Sequence, residues 1–345
     1  MTAYPQLADN KLLNERWCFM IMDKNIADYA GIQPHKVLSG LGIGMGNVFY
    51  VCPSTSSART LWAGRIDGEQ LFTTIEAAYA KCVTNRNDVI ILSPDSHAVA
   101  AMLTVAKSKV HFVGADAAGR HFGQRAKISI GVTTAATDIA AVQVTGTGCS
   151  FTGIKFTSSN TVAEGLYAVV EAGEYTLYRN CDFYKSTDLD IAGAAELALN
   201  GDSATFKDCT FGSSANAIVG AIIRPIVTCT GGLVSGKKLR DCYFDNCIFW
   251  RKCGNAANNF IYGLNATDVE RMLYFKDCLF LNHELAAANP DICIEFGAAQ
   301  TEGTVICKNC TSVNCTLFLA LDQNLYIDGA APTEGTSGIA VESVS

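Results

Sequence analysis

A right-handed parallel β-helix, an all-β solenoid, is the fold class this sequence predicts, on three observations. A six-residue pattern recurs along the chain, short runs rich in β-branched or aromatic residues lie between its copies, and one amphipathic helix precedes them. Self-similarity at such a period marks stacked units that bury their apolar faces on one another.

The pattern is aromatic, any residue, Asn/Asp/Gly, Cys or Ile, any residue, Phe. Its copies are Phe151-Thr152-Gly153-Ile154-Lys155-Phe156, Tyr178-Arg179-Asn180-Cys181-Asp182-Phe183, Phe206-Lys207-Asp208-Cys209-Thr210-Phe211, Phe244-Asp245-Asn246-Cys247-Ile248-Phe249 and Phe275-Lys276-Asp277-Cys278-Leu279-Phe280. A weaker copy is Cys307-Lys308-Asn309-Cys310-Thr311-Ser312. The fourth position (Ile154, Cys181, Cys209, Cys247, Cys278, Cys310) recurs at intervals of 27, 28, 38, 31 and 32 residues, so loops of varying length leave the coil. Cys and Phe on either side of a mostly polar residue give the period-2 signature of a strand with one buried face. The Asn, Asp or Gly before them tolerates the left-handed conformation of a sharp bend between two strands. A cysteine just past the bend is small and apolar enough to point into a tight corner. The expected structural ladder is therefore Cys181, Cys209, Cys247, Cys278 and Cys310, as mostly free, inward-facing thiols.

Further rungs are expected at Val89–Leu92, Val110–Val113, Ala141–Val144, Leu166–Val170 and Ile292–Phe296. The helix falls near residues 70–84, where Thr73 and Glu76 have capping-box spacing and Phe72, Ile75, Ala78, Tyr79 and Cys82 form one stripe. It is read as the lid that a solenoid needs over its first coil. A leucine-rich horseshoe or a propeller would carry its own consensus, which this chain lacks.

Composition sets the boundaries. The 345 residues are 49% hydrophobic and 17% charged, which suits a continuous core. A net charge of -7 gives no electrostatic footprint for nucleic acid or an anionic membrane. No apolar run reaches the roughly 18 to 20 residues of a membrane span, and the start, MTAYPQLADNKLLNERW, is unlike a signal peptide. The expectation is a soluble protein made in the cytoplasm. Fifteen cysteines are an odd number, and in a reducing compartment they read as buried thiols. Only Cys307 and Cys310 have C-x-x-C spacing, and nothing nearby completes a zinc site, so no metal is expected.

Four segments in order carry a resemblance. They are Gly46-Asn47-Val48-Phe49-Tyr50-Val51, Leu71-Phe72-Thr73-Thr74-Ile75-Glu76-Ala77-Ala78, Asp88-Val89-Ile90-Ile91-Leu92-Ser93-Pro94 and Val110-His111-Phe112-Val113-Gly114. Together with the repeat they resemble the pectin-lyase-like β-helix proteins of tailed bacteriophages, across residues 46–325. The resemblance implies a virion component: a capsid decoration protein, a fibre or a tailspike.

Residues 1–45 lack the repeat and are read as an arm, and residues 326–345 as a tail. Trp17, Phe19, Met20, Met22 and Tyr29 are the candidate partner-binding residues of the arm, with capping of the first coil as the alternative. The run Gly40-Leu41-Gly42-Ile43-Gly44-Met45-Gly46 is a poor phosphate loop, since no helix follows it. Asp188 and Asp190, with Glu196 nearby, are the nearest thing to a catalytic pair. Lys185 falls on the opposite face by period 2, and no Arg or His accompanies them in sequence, so the segment reads as a solvated loop. The five histidines (His35, His97, His111, His121, His283) are scattered, and His111 reads as a packed, hydrogen-bonded side chain.

The sequence-based expectation is accordingly a structural virion protein and not an enzyme, without cofactor, on the outer capsid surface. Its partners are expected to be the major capsid protein and possible further copies of itself. The second hypothesis is a tailspike or fibre that binds or cleaves host-surface glycans.

Overall fold

The structure is a computed structural model that describes residues 46–115, 126–131, 139–159, 166–185, 193–218, 224–229, 234, 239–253, 258–265, 267–283, 292–296, 302–315, 317–319 and 325–328. Among these residues the chain forms 27 strands and two short helices. Every strand pairing is parallel to a strand one coil away, giving one sheet of eleven strands and two of eight. One coil contributes Ser150–Thr152 to the first sheet, here sheet A, Lys155–Ser158 to sheet B and Tyr167–Glu171 to sheet C. The next contributes Leu177–Arg179, Asp182–Lys185 and Ala195–Leu199. This is the expected parallel β-helix.

The recurring hexapeptide spans the corner from sheet A to sheet B. Its third residue (Gly153, Asn180, Asp208, Asn246, Asp277, Asn309) has a φ between 50° and 65° in every copy, the left-handed region that Gly, Asn and Asp enter at least cost. The bend turns each corner amide toward the next coil. Asn180 N donates to Lys207 O at 2.9 Å, Asp208 N to Asp245 O at 3.0 Å, and Asn246 N to Lys276 O at 2.9 Å. The side chains form a second ladder: Asn246 Nδ2 donates to Asp208 Oδ1 at 2.7 Å and Asn309 Nδ2 to Asp277 Oδ1 at 3.2 Å. Alternating Asp with Asn pairs donor with acceptor and keeps like charges apart.

The cysteines that follow, Cys181, Cys209, Cys247 and Cys278, are buried, Cys310 is partly exposed, and their thiols donate to the backbone. Cys181 Sγ lies 3.4 Å from Phe151 O in the coil before it and 3.3 Å from Arg179 O in its own. Cys247 and Cys278 repeat this with Phe206 O at 3.3 Å and Phe244 O at 3.4 Å. A thiol therefore fills the corner and adds a weak second donor to a carbonyl that already accepts a corner amide, as Arg179 O does from Gly153 N.

Parallel register then puts like residues above like. On the inner face of sheet A, Phe112, Phe151, Tyr178, Phe206, Phe244 and Phe275 stack with centroids 4.6 to 5.0 Å apart. On sheet B, Phe156, Phe183, Phe211, Phe249 and Phe280 form a second column at 4.5 to 5.2 Å. The columns meet edge to face, as for Phe206 and Phe211 at 5.7 Å, so quadrupole and dispersion attraction add along the whole axis.

The lid is present with different bounds. The helix is Ile75–Lys81, and its N-cap is Thr74, whose Oγ1 accepts from Ala77 N at 3.3 Å. The expected cap at Thr73 and the helical place of Phe72 are corrected: Leu71–Phe72 is a strand pairing with Val48–Val51, so the chain is still extended there. Ile75, Ala78 and Cys82 enter the main core, and Tyr79 stacks on Phe112 at 6.3 Å. Lys107 Nζ caps the other end, donating to the carbonyls of Tyr79 (2.8 Å), Ala80 (3.1 Å) and Cys82 (2.7 Å). A second helix, Arg59–Ala63, was not foreseen; its Trp62 packs edge-on against Tyr50 at 5.9 Å. At the far end, Leu325–Asp328 pairs with Thr304–Lys308. No helix among the described residues is long and apolar enough to cross a membrane.

Phe211→Ala is expected to lower stability by about 3 to 5 kcal/mol, read as a shift in the denaturant unfolding curve; an unchanged curve would mean the wrong face is buried. Burial pushes the thiols of Cys181, Cys209, Cys247 and Cys278 well above the ordinary range, whereas Cys310 is partly exposed. Maleimide labelling of the native protein, mapped by peptide mass, should reach Cys310 before those four, which become reactive only on unfolding. Equal labelling rates, or oxidised ladder thiols, would contradict this.

Candidate functional site

The three outer faces differ in what they offer. On sheet C, small and apolar residues (Ala140, Tyr167, Val170, Ala172, Ala195, Ala198) are buried beneath Met102, Ile139, Leu166 and Val234. Over these three strands the face is covered, whereas Thr104 in the same outward row is exposed and Gln143, Tyr262 and Glu295 are half-buried. On sheet A, Lys207 and Lys276 flank Asp245 at 3.6 and 3.3 Å, and Tyr243 lies beside Tyr274 at 5.5 Å. That is a mostly self-paired, solvated ladder, of small energetic consequence.

Sheet B carries a concave site. Four successive strands place Lys155, then Asp182 and Tyr184, then Thr210, Gly212 and Ser213, then Trp250 around a groove of about 110 Å³. Period 2 explains all of the set but Ser213, which pairs with the inward Arg251. Lys155, Asp182 and Thr210 are one outward row, and Tyr184, Gly212 and Trp250 fall in the next. Tyr184 and Trp250 are two strands apart, about 10 Å at normal strand spacing, and Gly212 between them has no side chain to fill the gap. Only glycine serves there: its φ is +85°, and a Cβ would lie 2.1 Å from Trp250 O. The strand is irregular just beyond, with a register shift between Ser213 and Ala217.

Electrostatically the groove is balanced. Lys155 Nζ sits 5.1 Å from the centre of the Tyr184 ring. Burial pushes the Asp182 carboxyl above the ordinary carboxylate range, against the opposing pull of Lys155 and a hydrogen bond from Thr210. One oxygen, Asp182 Oδ1, is buried with no hydrogen-bond partner among the described residues.

Directly behind the groove, the inward row of sheet B turns polar. Lys185 and Arg251 lie two residues past Phe183 and Phe249 and are only 1% and 2% exposed. Arg251 donates to Asn259 O at 2.6 Å and Arg224 O at 2.7 Å, and its guanidinium lies 5.1 Å from the Phe260 ring centre. Glu196 pairs with Arg224 at 3.7 Å. Burial pushes Lys185 down to about 8, helped by Arg224 and opposed by Glu196. Glu196 is therefore buried and ion-paired, which corrects its reading as part of a solvated loop. Arg224 precedes the strand Val227–Cys229 and Arg251 lies in Ile248–Cys253, both in later coils, so no local pattern announced them. Asp188 and Asp190 lie outside the described residues.

A further buried carboxylate went unread in the sequence. Glu171 accepts from Gly173 N (2.7 Å), Thr176 Oγ1 (3.1 Å) and Tyr178 Oη (2.5 Å). Tyr178 is the one hydroxylated ring in the sheet A column, and a tyrosine among phenylalanines is the signal that a polar partner sits inside. His111 bridges Ser150 (2.8 Å) and Asn87 (3.3 Å), and burial lowers its pKa. Among the described residues no group of three or more His, Cys, Asp or Glu side chains converges as a metal site. Trp17, Phe19, Met20, Met22 and Tyr29 lie outside the described residues.

A scan against protein-family models finds no match, and neither does a search of curated proteins. Solved structures do match. Pectate lyase Pel9A superposes with a TM-score of 0.55 at 13% identity, covering 84% of this chain and 78% of that one. Pectin methylesterase from Aspergillus niger superposes with a TM-score of 0.50 at 11% identity, covering 85% and 88%. At such identities the likeness is one of fold, and this chain has the pectin-lyase-like right-handed parallel β-helix that the sequence predicted. The expectation that the chain is no enzyme is corrected by the same finding. Both neighbours are enzymes, so this fold carries catalysis and gives no ground for excluding it.

Asp182 supplies a test of the groove's electrostatics. With its folded pKa raised, the native state holds the proton more tightly than the unfolded chain. Stability therefore falls as pH rises from about 4 through the raised value. Asp182→Asn should unfold at or above the wild-type midpoint at neutral pH, with the difference closing below about pH 4. A variant clearly less stable at neutral pH would mean that the carboxylate is well paired.

Proposed function

We propose that this protein is a structural component of a tailed-bacteriophage virion, a capsid decoration (cement) protein held on the outer capsid surface by the major capsid protein. The observation that carries this reading is the uninterrupted stack. Parallel coils run from Val48 to Asp328 on one eleven-stranded sheet, and two aromatic columns fill the interior. Such a body is a stiff brace of fixed length, suited to spanning neighbouring subunits of a shell. The order of segments between Gly46 and Gly114, with its likeness to phage β-helix proteins, supports the same reading.

Attachment is assigned to residues 1–45. Trp17, Phe19, Met20, Met22 and Tyr29 are costly to leave in water, and burying each large apolar side chain contributes roughly 1.5 to 3 kcal/mol before association costs. A contact built on packing should depend weakly on salt. Deleting residues 1–45 should leave the β-sheet circular dichroism intact and abolish binding to undecorated capsids. A truncated protein that folds and decorates as well as the full chain would overturn the docking role. Density for the chain elsewhere than on the capsid in virion cryo-electron microscopy would overturn the decoration role.

A further inference from the structure

We propose that the groove over Gly212 is a saccharide subsite that holds one uncharged pyranose ring between Tyr184 and Trp250. The inference does not rest on the decoration role; it gives a site and a ligand class to the second hypothesis, that of glycan binding.

Three features of the groove select the ligand. First, its walls are two aromatic side chains on alternate strands, with a glycine where the intervening strand would place a third side chain. The gap has room for a flat, partly apolar ring, and aromatic faces attract the polarised C–H bonds of a sugar. Any larger residue at 212 would meet the carbonyl of Trp250, so shape and backbone demand the same residue. Second, the groove is polar as well as aromatic: Lys155 donates, Asp182 accepts, and the hydroxyl of Thr210 does both. A ring of hydroxyls matches that mixture, and a purely apolar ligand would strand it. Asp182 Oδ1 has no partner among the described residues, which leaves the carboxylate an acceptor to spare at the groove wall. Third, the opposite charges of Lys155 and Asp182 select against charged ligands. A cation would face Lys155 in the same small space, and an anion would face Asp182. An acidic sugar such as galacturonate is therefore disfavoured relative to a neutral hexose or N-acetylhexosamine.

The groove lies on sheet B, away from the buried apolar patch of sheet C and from the self-paired ladder of sheet A. Its outward row continues as Ile248 and Leu279 on the following strands, a path for a second sugar along the helix axis.

The test uses the full chain. Calorimetric titration with maltohexaose, chitohexaose and a mannan oligosaccharide is compared with trigalacturonate as the acidic probe. The expected result is binding of at least one neutral oligosaccharide in preference to trigalacturonate. Trp250→Ala and Asp182→Asn should each weaken it about tenfold or more, and Tyr243→Ala, on sheet A, should leave it unchanged. Asp182→Asn is expected to fold at least as well as wild type, so it carries the test if Trp250→Ala does not fold. The proposal is overturned if no neutral probe binds at millimolar concentration, if trigalacturonate binds more tightly, or if neither groove variant weakens binding. Capsid binding by Asp182→Asn should match wild type. Weakened sugar binding with capsid binding intact supports the subsite, whereas failure of the wild-type chain to bind undecorated capsids counts against the decoration reading alone.

Discussion

Backbone hydrogen bonds between successive coils place each residue about 4.8 Å above its counterpart, and the remainder of the molecule follows from that spacing. Aromatic rings stack comfortably at nearly the same distance, so one Phe per coil on sheet A and another on sheet B become two continuous columns without adjusting the backbone. The same spacing lets an Asn at one corner reach the Asp of the next, and lets a thiol reach a carbonyl one coil away. Register and packing reinforce each other: a slip by one residue would turn every Phe outward and every outward Lys or Asp into the core.

A stack of this kind is intolerant of misfits, which makes its buried polar groups informative. Glu171 is held by an amide, a threonine and a tyrosine, and the tyrosine takes a place that phenylalanine occupies in neighbouring coils. The second departure is the corner behind the groove, where Lys185, Glu196, Arg224 and Arg251 share a buried site. Removing one partner of such a set leaves charge uncompensated, so the corner acts as a unit that ties the sheet B strands to the coil segments beyond them. It also backs the strands that carry Tyr184 and Trp250.

The fold itself is shared with enzymes that act on pectin, and the likeness ends at architecture. The groove is on sheet B and is electrostatically balanced, and the middle strands of sheet C carry alanine and valine buried beneath Met102, Ile139, Leu166 and Val234. What this chain binds is therefore a question about its own side chains and not about its fold.

Much was legible in the sequence because the solenoid makes local chemistry repeat. The left-handed corner residue, the inward Cys and Phe, and the polar residue between them were all readable from single hexapeptides, since bend and alternation are decided within a few residues. The lid helix was legible in kind and misplaced by one residue at its cap: Thr73 and Thr74 are equivalent to a local rule, and only the pairing of Leu71–Phe72 with Val48–Val51 decides between them. Tertiary structure alone decided which residues meet across coils. Lys185 and Arg251 are 66 residues apart, and Tyr184, Gly212 and Trp250 share a row only because intervening loops of unequal length return each strand to the same register. Loop length leaves no mark on the local pattern, so the groove and the buried charges behind it could be seen only once the coils were stacked.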